Sequence, residues 1–245
     1  MFGHRVRRAA RAAAIACSFI FVFAVVAFAQ QADPRQNAPG KFDFYVLALS
    51  WSSSYSESAK QRAPDRKPGL QCSGRPFSFV VHGLWPEYEK GFPSYCQVPA
   101  ERLTHAIVSG MLDLMPSPHL IFHEWQRHGT CSGLTPHAYF EAVRKARAIV
   151  KIPVNYLGPP APVTVSPAAV AEAFLKVNPG LTRGAMAVTC DKTRLTEVRL
   201  CLSKDFAFRD CTEVVQHSCK RDKVQMPAVR RSGSDKRASL ILQLH

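Results

Sequence analysis

Eight cysteines stand in the chain, and seven of them, Cys72, Cys96, Cys131, Cys190, Cys201, Cys211 and Cys219, lie beyond residue 30. Where disulfides form, such a set restricts the possible folds more than any local propensity, because each bridge requires two separate segments to meet. Seven thiols cannot all pair within one chain, so one is left over. The start of the chain points to an oxidising compartment. Arg5, Arg7, Arg8 and Arg11 form a basic head, residues 12–27 form an apolar run too short for a permanent membrane span, and Ala27-Phe28-Ala29 supplies small residues for cleavage before Gln30. Residues 1–29 therefore read as a signal peptide, with secretion or periplasmic export as the destination and no membrane span once it is removed. Cys17 precedes most of the apolar run, whereas a lipid-modified cysteine follows it. Arg7-Arg8 is flanked only by valine and alanines, which favours general secretion over twin-arginine export.

At 245 residues the chain suits one large domain. Lys and Arg outnumber Asp and Glu by 32 to 18. Removing residues 1–29 takes four arginines and no acid, which leaves 28 basic against 18 acidic side chains, a net +10. Such a surface attracts a polyanion or an acidic surface. A hydrophobic content of 47% with 20% charged residues excludes a disordered chain.

No internal repeat or heptad run is present. Residues 42–51 (FDFYVLALSW) and 77–81 (FSFVV) are rich in aromatic and β-branched side chains and read as strands, with a polar loop at 52–76 between them. Leu103, Ile107, Met111 and Leu114 predict a helix within 99–115, stopped by Pro116. Thr135-Pro136 and Ser166-Pro167 are N-cap and first-turn signals for helices to about Val150 and Asn178. Residues 185–190 and 195–202 predict a hairpin around Asp191-Lys192, with Leu200 and Leu202 on one face and Arg199 and Cys201 on the other. Strands, then helices, then strands predict an α+β fold. Residues 30–41 are expected to be a flexible lead-in, 42–226 the domain, and 227–245 a poorly ordered basic tail.

Two segments carry the chemistry. VVHGLWPEY (80–88) brings His82 to the end of a strand, where Gly83 allows a turn and Trp85-Pro86 stiffens the exit. FHEWQRHGTC (122–131), read as one helix at about 100° per residue, places His123 with Arg127 and Glu124 with His128 in adjoining stripes, and turns Phe122 and Trp125 to the core. A zinc site is disfavoured. His123 and His128 are five residues apart rather than the four that share a helix face, and the cysteines form no C-x-x-C pair. No metal and no cofactor is expected.

HGLWP followed about forty residues later by HEWQRHGTC resembles the two active-site segments of the ribonuclease T2 family, the acid, base-non-specific secreted ribonucleases. The resemblance extends from about Phe42 to Met226. It implies a central antiparallel sheet flanked by helices, with the two motifs side by side across a cleft, and a metal-independent endoribonuclease acting on single-stranded RNA but not DNA. It implies His82, Glu124 and His128 as catalytic residues, His82 and His128 matching the acid–base pair; we assign His128 as the base and His82 as the acid, a choice the motifs themselves leave open. His123 and Arg127 match the groups around the phosphate, Arg127 standing where the family usually has Lys, and Trp85 and Tyr88 fall where bases would stack. It further implies the pairs Cys96–Cys131, Cys190–Cys219 and Cys201–Cys211. Many bacterial relatives carry a cysteine in the segment where this chain has Ser56, so Cys72 is expected to be the free thiol. A monomer is expected. The competing reading is a secreted protein that binds RNA or another polyanion without cutting it. Its mark would be a lost histidine, and both are present.

Overall fold

The computed structural model describes residues 35–65, 67, 69–72 and 75–229. The expected signal peptide and, from residue 230, the expected tail lie outside the described residues. In chain order the elements are β1 (Phe44–Trp51), α1 (Ser52–Arg62), β2 (Phe79–Glu87), α2 (His105–Met111), α3 (Pro118–Arg127), α4 (Pro136–Ile149), β3 (Val163–Val165), α5 (Pro167–Val177), β4 (Met186–Cys190), β5 (Leu195–Leu202), α6 (Thr212–Gln216) and β6 (Val224–Met226). β2, β1, β5 and β4 form one antiparallel sheet in that order, and β3 pairs with β6 in a second, two-stranded one. This is the α+β class that the order of strands and helices predicts.

The two faces of the larger sheet do different work. Leu47, Leu49 and Trp51 of β1 and Val198, Leu200 and Leu202 of β5 belong to the main core, with Ile121 and Trp125 of α3, Tyr139 and Val143 of α4, and Phe174 of α5. Full burial of side chains this large stabilises by about 1.5–3 kcal/mol each. The alternate residues Phe44, Val46 and Ala48 face the other way, against Trp85, Cys201 and Cys211. That second face carries the site.

Caps account for most helix starts. Thr104, Ser117, Thr135 and Ser166 each accept an N–H from the first turn, and Pro occupies that turn in α3, α4 and α5. The Thr104 cap also explains why α2 is shorter than the helix expected within 99–115. The chain at 99–103 is drawn off as a loop whose Glu101 carbonyl accepts the Trp125 indole N–H at 2.7 Å.

Four further expectations are corrected. Residues 52–76 begin with α1 rather than a loop. Serine is a weak helix former, yet Ser52, Ser53 and Ser54 are buried, and Arg194 of the β4–β5 hairpin binds Glu57 and Gln61 on α1, so tertiary contacts override propensity. The second strand is longer than 77–81 and runs through His82, Gly83 and Pro86, which β2 tolerates because it is an edge strand. Phe122 is exposed rather than in the core, since Ile121 and Trp125, four apart, form the buried stripe of α3. Residues 35–41, expected to be flexible, are held to the body. Tyr88 donates its hydroxyl to the Arg35 carbonyl, Arg35 pairs with Asp43, and the Gly40 N–H donates to the Cys131 carbonyl.

Disulfides join Cys96 to Cys131, Cys190 to Cys219 and Cys201 to Cys211. Cys72 is a free thiol, and Ser56 on α1 lies against it, Oγ to Sγ 2.7 Å. Ser56→Cys is therefore expected to close a fourth bridge over a separation of 16 residues. In the chain-entropy relation this stabilises by about 3 kcal/mol. A melting temperature under non-reducing conditions that does not rise above that of the parent, with the bridge verified by mass, would count against this geometry.

Candidate active site

His82 owes its direction to an irregularity in β2. Gly83 lies opposite Ala48 and Val81 opposite Leu49, so His82 is an extra residue between them, a bulge that re-aims a side chain. It is a mid-strand residue, not the strand-end residue that the sequence suggests. Gly83 is there for space rather than for a turn: a Cβ on it would clash with Glu124 Oε2 and Trp85 Nε1. Through that gap α3 sends the Glu124 carboxyl to Trp85, whose indole N–H donates to Oε2 at 2.7 Å. Glu124 Oε1 is 3.6 Å from His82 Nε2.

His128 is the residue that ends α3, donating its N–H to the Glu124 carbonyl, and it keeps an αR conformation, so the helical register carries it beside Glu124. Gly129 and Cys131 follow in a short 3₁₀ turn, and the Cys96–Cys131 bridge ties that turn to the loop leaving β2. The His82 and His128 rings flank Trp85, with centroids 5.3 and 5.4 Å from the indole. These groups line a cleft of about 390 Å³, into which His123 and Arg127 also project.

The two histidines have opposite electrostatic bias. Burial, then the charges of Arg127, His123 and His82, pull the His128 pKa down to about 3, and its buried Nδ1 has no hydrogen-bond partner among the described residues. Burial also disfavours charge on His82, but the hydrogen bond and charge of Glu197, with Glu124 further off, outweigh it and raise its pKa despite Arg199. Burial pushes Glu124 up to about 7 against the pull of His82 and the Trp85 N–H. His123 is lowered by burial and by Arg127, His82 and His119. Arg127 keeps a buried Nε that has no partner among the described residues, and its guanidinium lies over the Phe92 ring at 5.8 Å.

Trp85 and Tyr88 reach the cleft but offer little ring face. Trp85 is 9% exposed, with the Arg199 guanidinium over its ring, and Tyr88 is 4% exposed, its ring capped by Arg35. Phe92, 48% exposed and near His128, is the open aromatic ring there. Sequence reasoning missed it, although KGFPSY marks an aromatic in a Gly- and Pro-bearing loop. It also missed Glu87, which burial pushes up to about 8, and the β5 pair Glu197 and Arg199. For Arg199 the alternation of β5 was a signal; what its face would meet was not. Among the described residues, no group of three or more His, Cys, Asp or Glu is placed to hold a metal ion.

Two imidazoles of opposite bias thus stand around a buried carboxyl, beside an arginine, on an α+β frame. The family model that matches residues 42–211 is that of the Ribonuclease T2 family, and the chain belongs to that family. A ribonuclease of Aeromonas hydrophila is 44% identical over 108 residues, covering 44% of this chain and 46% of that protein. Ribonuclease DdI of Dictyostelium discoideum is 28% identical over 207 residues, covering 76% and 85%. The chain thus spans about half the length of the bacterial relatives it matches, 46% and 47% for those of Aeromonas hydrophila and Haemophilus influenzae. Among solved structures, RNase NT in complex with 5′-AMP has a TM-score of 0.61 at 25% identity, over 76% of this chain and 98% of its own. Trichomaglin, described as an S-like ribonuclease, shares the fold at a TM-score of 0.62 and 21% identity, over 78% and 100%.

Proposed function

We propose that this protein is a secreted or periplasmic endoribonuclease that cleaves single-stranded RNA without a metal, His128 acting as base and His82 as acid. The observation that carries this reading is the opposite displacement of the two histidines on either side of Trp85, one biased neutral and the other charged. Neutral His128 takes the proton of a ribose 2′-hydroxyl, and the 2′-oxygen attacks the adjacent phosphorus. His82, protonated, gives its Nε2 proton to the departing 5′-oxygen, leaving a 2′,3′-cyclic phosphate. Water then opens the ring with the roles reversed, giving a 3′-phosphate.

As charge builds on the phosphorane, Arg127 and His123 face its free oxygens, and Glu124, protonated in acid, donates to one of them. The phosphate's own charge offsets the cations around His128 and makes that ring a better base than in the empty cleft. Arg127 in place of Lys keeps the charge and adds a planar pair of donors. Phe92 offers a π face that any base can use, and Glu87, neutral in acid, offers both a donor and an acceptor to a base edge, which supports low base specificity. The three disulfides support an oxidising compartment.

One digest tests the reading. RNA cut equally with and without chelator, and single-stranded DNA of the same sequence left intact, is the expected result. RNA bound but uncut would leave a polyanion-binding protein instead.

The pH dependence follows from the same shifts. The rate requires His128 neutral, so it climbs as pH rises through about 3. It requires His82 charged and is helped by protonated Glu124, so it declines as pH rises through about 7 and through the raised His82 value. These groups titrate as a coupled set, and the outcome is a broad acidic optimum. A kcat/KM that increases steadily from pH 5 to 8 would sink this assignment of roles.

A further inference from the structure

We propose that Glu197 is a positioning residue for catalysis, fixing the tautomer and charge of His82 from the central strand β5 while itself being clamped by Arg199. This rests on the reading of His82 as the acid. Glu197 lies opposite Ser50 across β1 and Arg199 lies opposite Ala48, on the face of the sheet that carries the cleft. Ala48 pairs with Gly83 of β2 on its other side, so Arg199, Ala48 and Gly83 lie in one row across the sheet.

Both oxygens of the Glu197 carboxylate are engaged. Oε1 accepts from His82 Nδ1 at 2.5 Å and from the Ser50 hydroxyl at 3.1 Å, and Oε2 accepts from Arg199 Nε at 2.9 Å, with a terminal nitrogen of the same guanidinium 2.8 Å away in the ion pair. His82 and Arg199 hold Glu197 down to about 2 against its burial, so it is an ionised, acceptor-only group. The proton between His82 and Glu197 therefore belongs to Nδ1, and Nε2 is left as the nitrogen that faces Glu124 Oε1 and the cleft. A carboxylate behind a histidine fixes the ring and favours its charged form, as an acid for a leaving alkoxide requires. Arg199 opposes the charge on His82 but holds Glu197 so that the carboxylate cannot rotate away, a directional clamp that a lone glutamate on a strand would lack.

The charged and titratable groups around His82 are Glu197 and Arg199 on β5, Glu124, His123 and Arg127 on α3, His128 at its end, and Glu87 further along β2. Among the described residues, Glu197 is the one hydrogen-bonded to Nδ1, so changing it has a signature the others lack.

The test is an NMR titration of the His82 ring in the full chain, together with kinetics on two esters. One is a dinucleotide, whose alkoxide needs an acid, and the other a uridine 3′-(4-nitrophenyl) phosphate, whose phenolate does not. Glu197→Gln is expected to lower the His82 pKa by about one unit or more and to weaken the Nδ1–H preference. It should slow the dinucleotide by about 10-fold or more, within the range of acid catalysis, and the nitrophenyl ester by less than about 3-fold. Added to His82→Phe it should change little, since its path to the substrate is gone. Glu197→Asp, which keeps the charge, should recover part of the titration shift and serves if the glutamine variant folds poorly. An unmoved His82 titration, or a further full loss on top of His82→Phe, overturns the proposal. Equal slowing of both esters by His82→Phe overturns the acid role of His82 instead, and the titration still reads the Glu197 contact.

Discussion

His128→Phe and His82→Phe are each expected to lower kcat on RNA by at least about 10²-fold, since each removes one end of the proton transfer. Their effects on stability should differ, and that difference belongs to the structure. His128 is biased neutral and its buried Nδ1 has no partner among the described residues, so an apolar ring in its place removes a buried polar atom that makes no bond there. Its melting temperature should hold or rise. His82 is the hydrogen-bond donor to a buried, ionised Glu197. Removing it leaves that carboxylate with Ser50 and Arg199 alone, a loss of about 1.5–3 kcal/mol for a charge-assisted bond. Thermal denaturation of both variants beside their turnover checks this. A folded His128→Phe enzyme with near-normal kcat would end its assignment as base.

Gly83→Ala is expected to cut kcat by about 10²-fold, through a single methyl group that touches no substrate. The added Cβ would stand 2.8 Å from Glu124 Cδ and closer still to Glu124 Oε2 and Trp85 Nε1. Either the carboxyl withdraws or β2 shifts at the His82 bulge, and a displacement of about 1 Å at a catalytic group costs a factor of that order. Overpacking adds about 1–3 kcal/mol of destabilisation. Gly110→Ala is the control: it lies in α2, and a methyl group there would meet nothing within 4 Å, so it should stabilise by about 0.4–1 kcal/mol and leave kcat alone. If Gly83→Ala retains full turnover, the Trp85–Glu124 contact is not what holds Glu124 for catalysis.

The parts of this protein that depend on neighbours in the chain were legible from the amino-acid sequence. Helices α4 and α5 begin at Thr135-Pro136 and Ser166-Pro167 because a hydroxyl accepts a first-turn N–H and Pro donates none. The β4–β5 turn follows from Asp191, whose carboxylate accepts the N–H groups of Thr193 and Arg194. The resemblance of two long motifs to those of the ribonuclease T2 family put His82, Glu124 and His128 in view, because the residues within each motif are contiguous.

What the sequence concealed depends on segments far apart in the chain. A run of serines after β1 has no local reason to be helical; α1 forms because Arg194 grips Glu57 and Gln61 on it from more than 130 residues away. Tyr88 falls in its motif where a base would stack, yet Arg35 lies across its ring. The bias of the histidines could not be read from their motifs, since burial lowers one and a carboxylate 115 residues away in sequence raises the other. Local patterning decides which elements form and which faces are apolar. Sheet order, the bulge at His82 and the burial of charge are long-range quantities, and only the folded chain brings Glu197 behind His82.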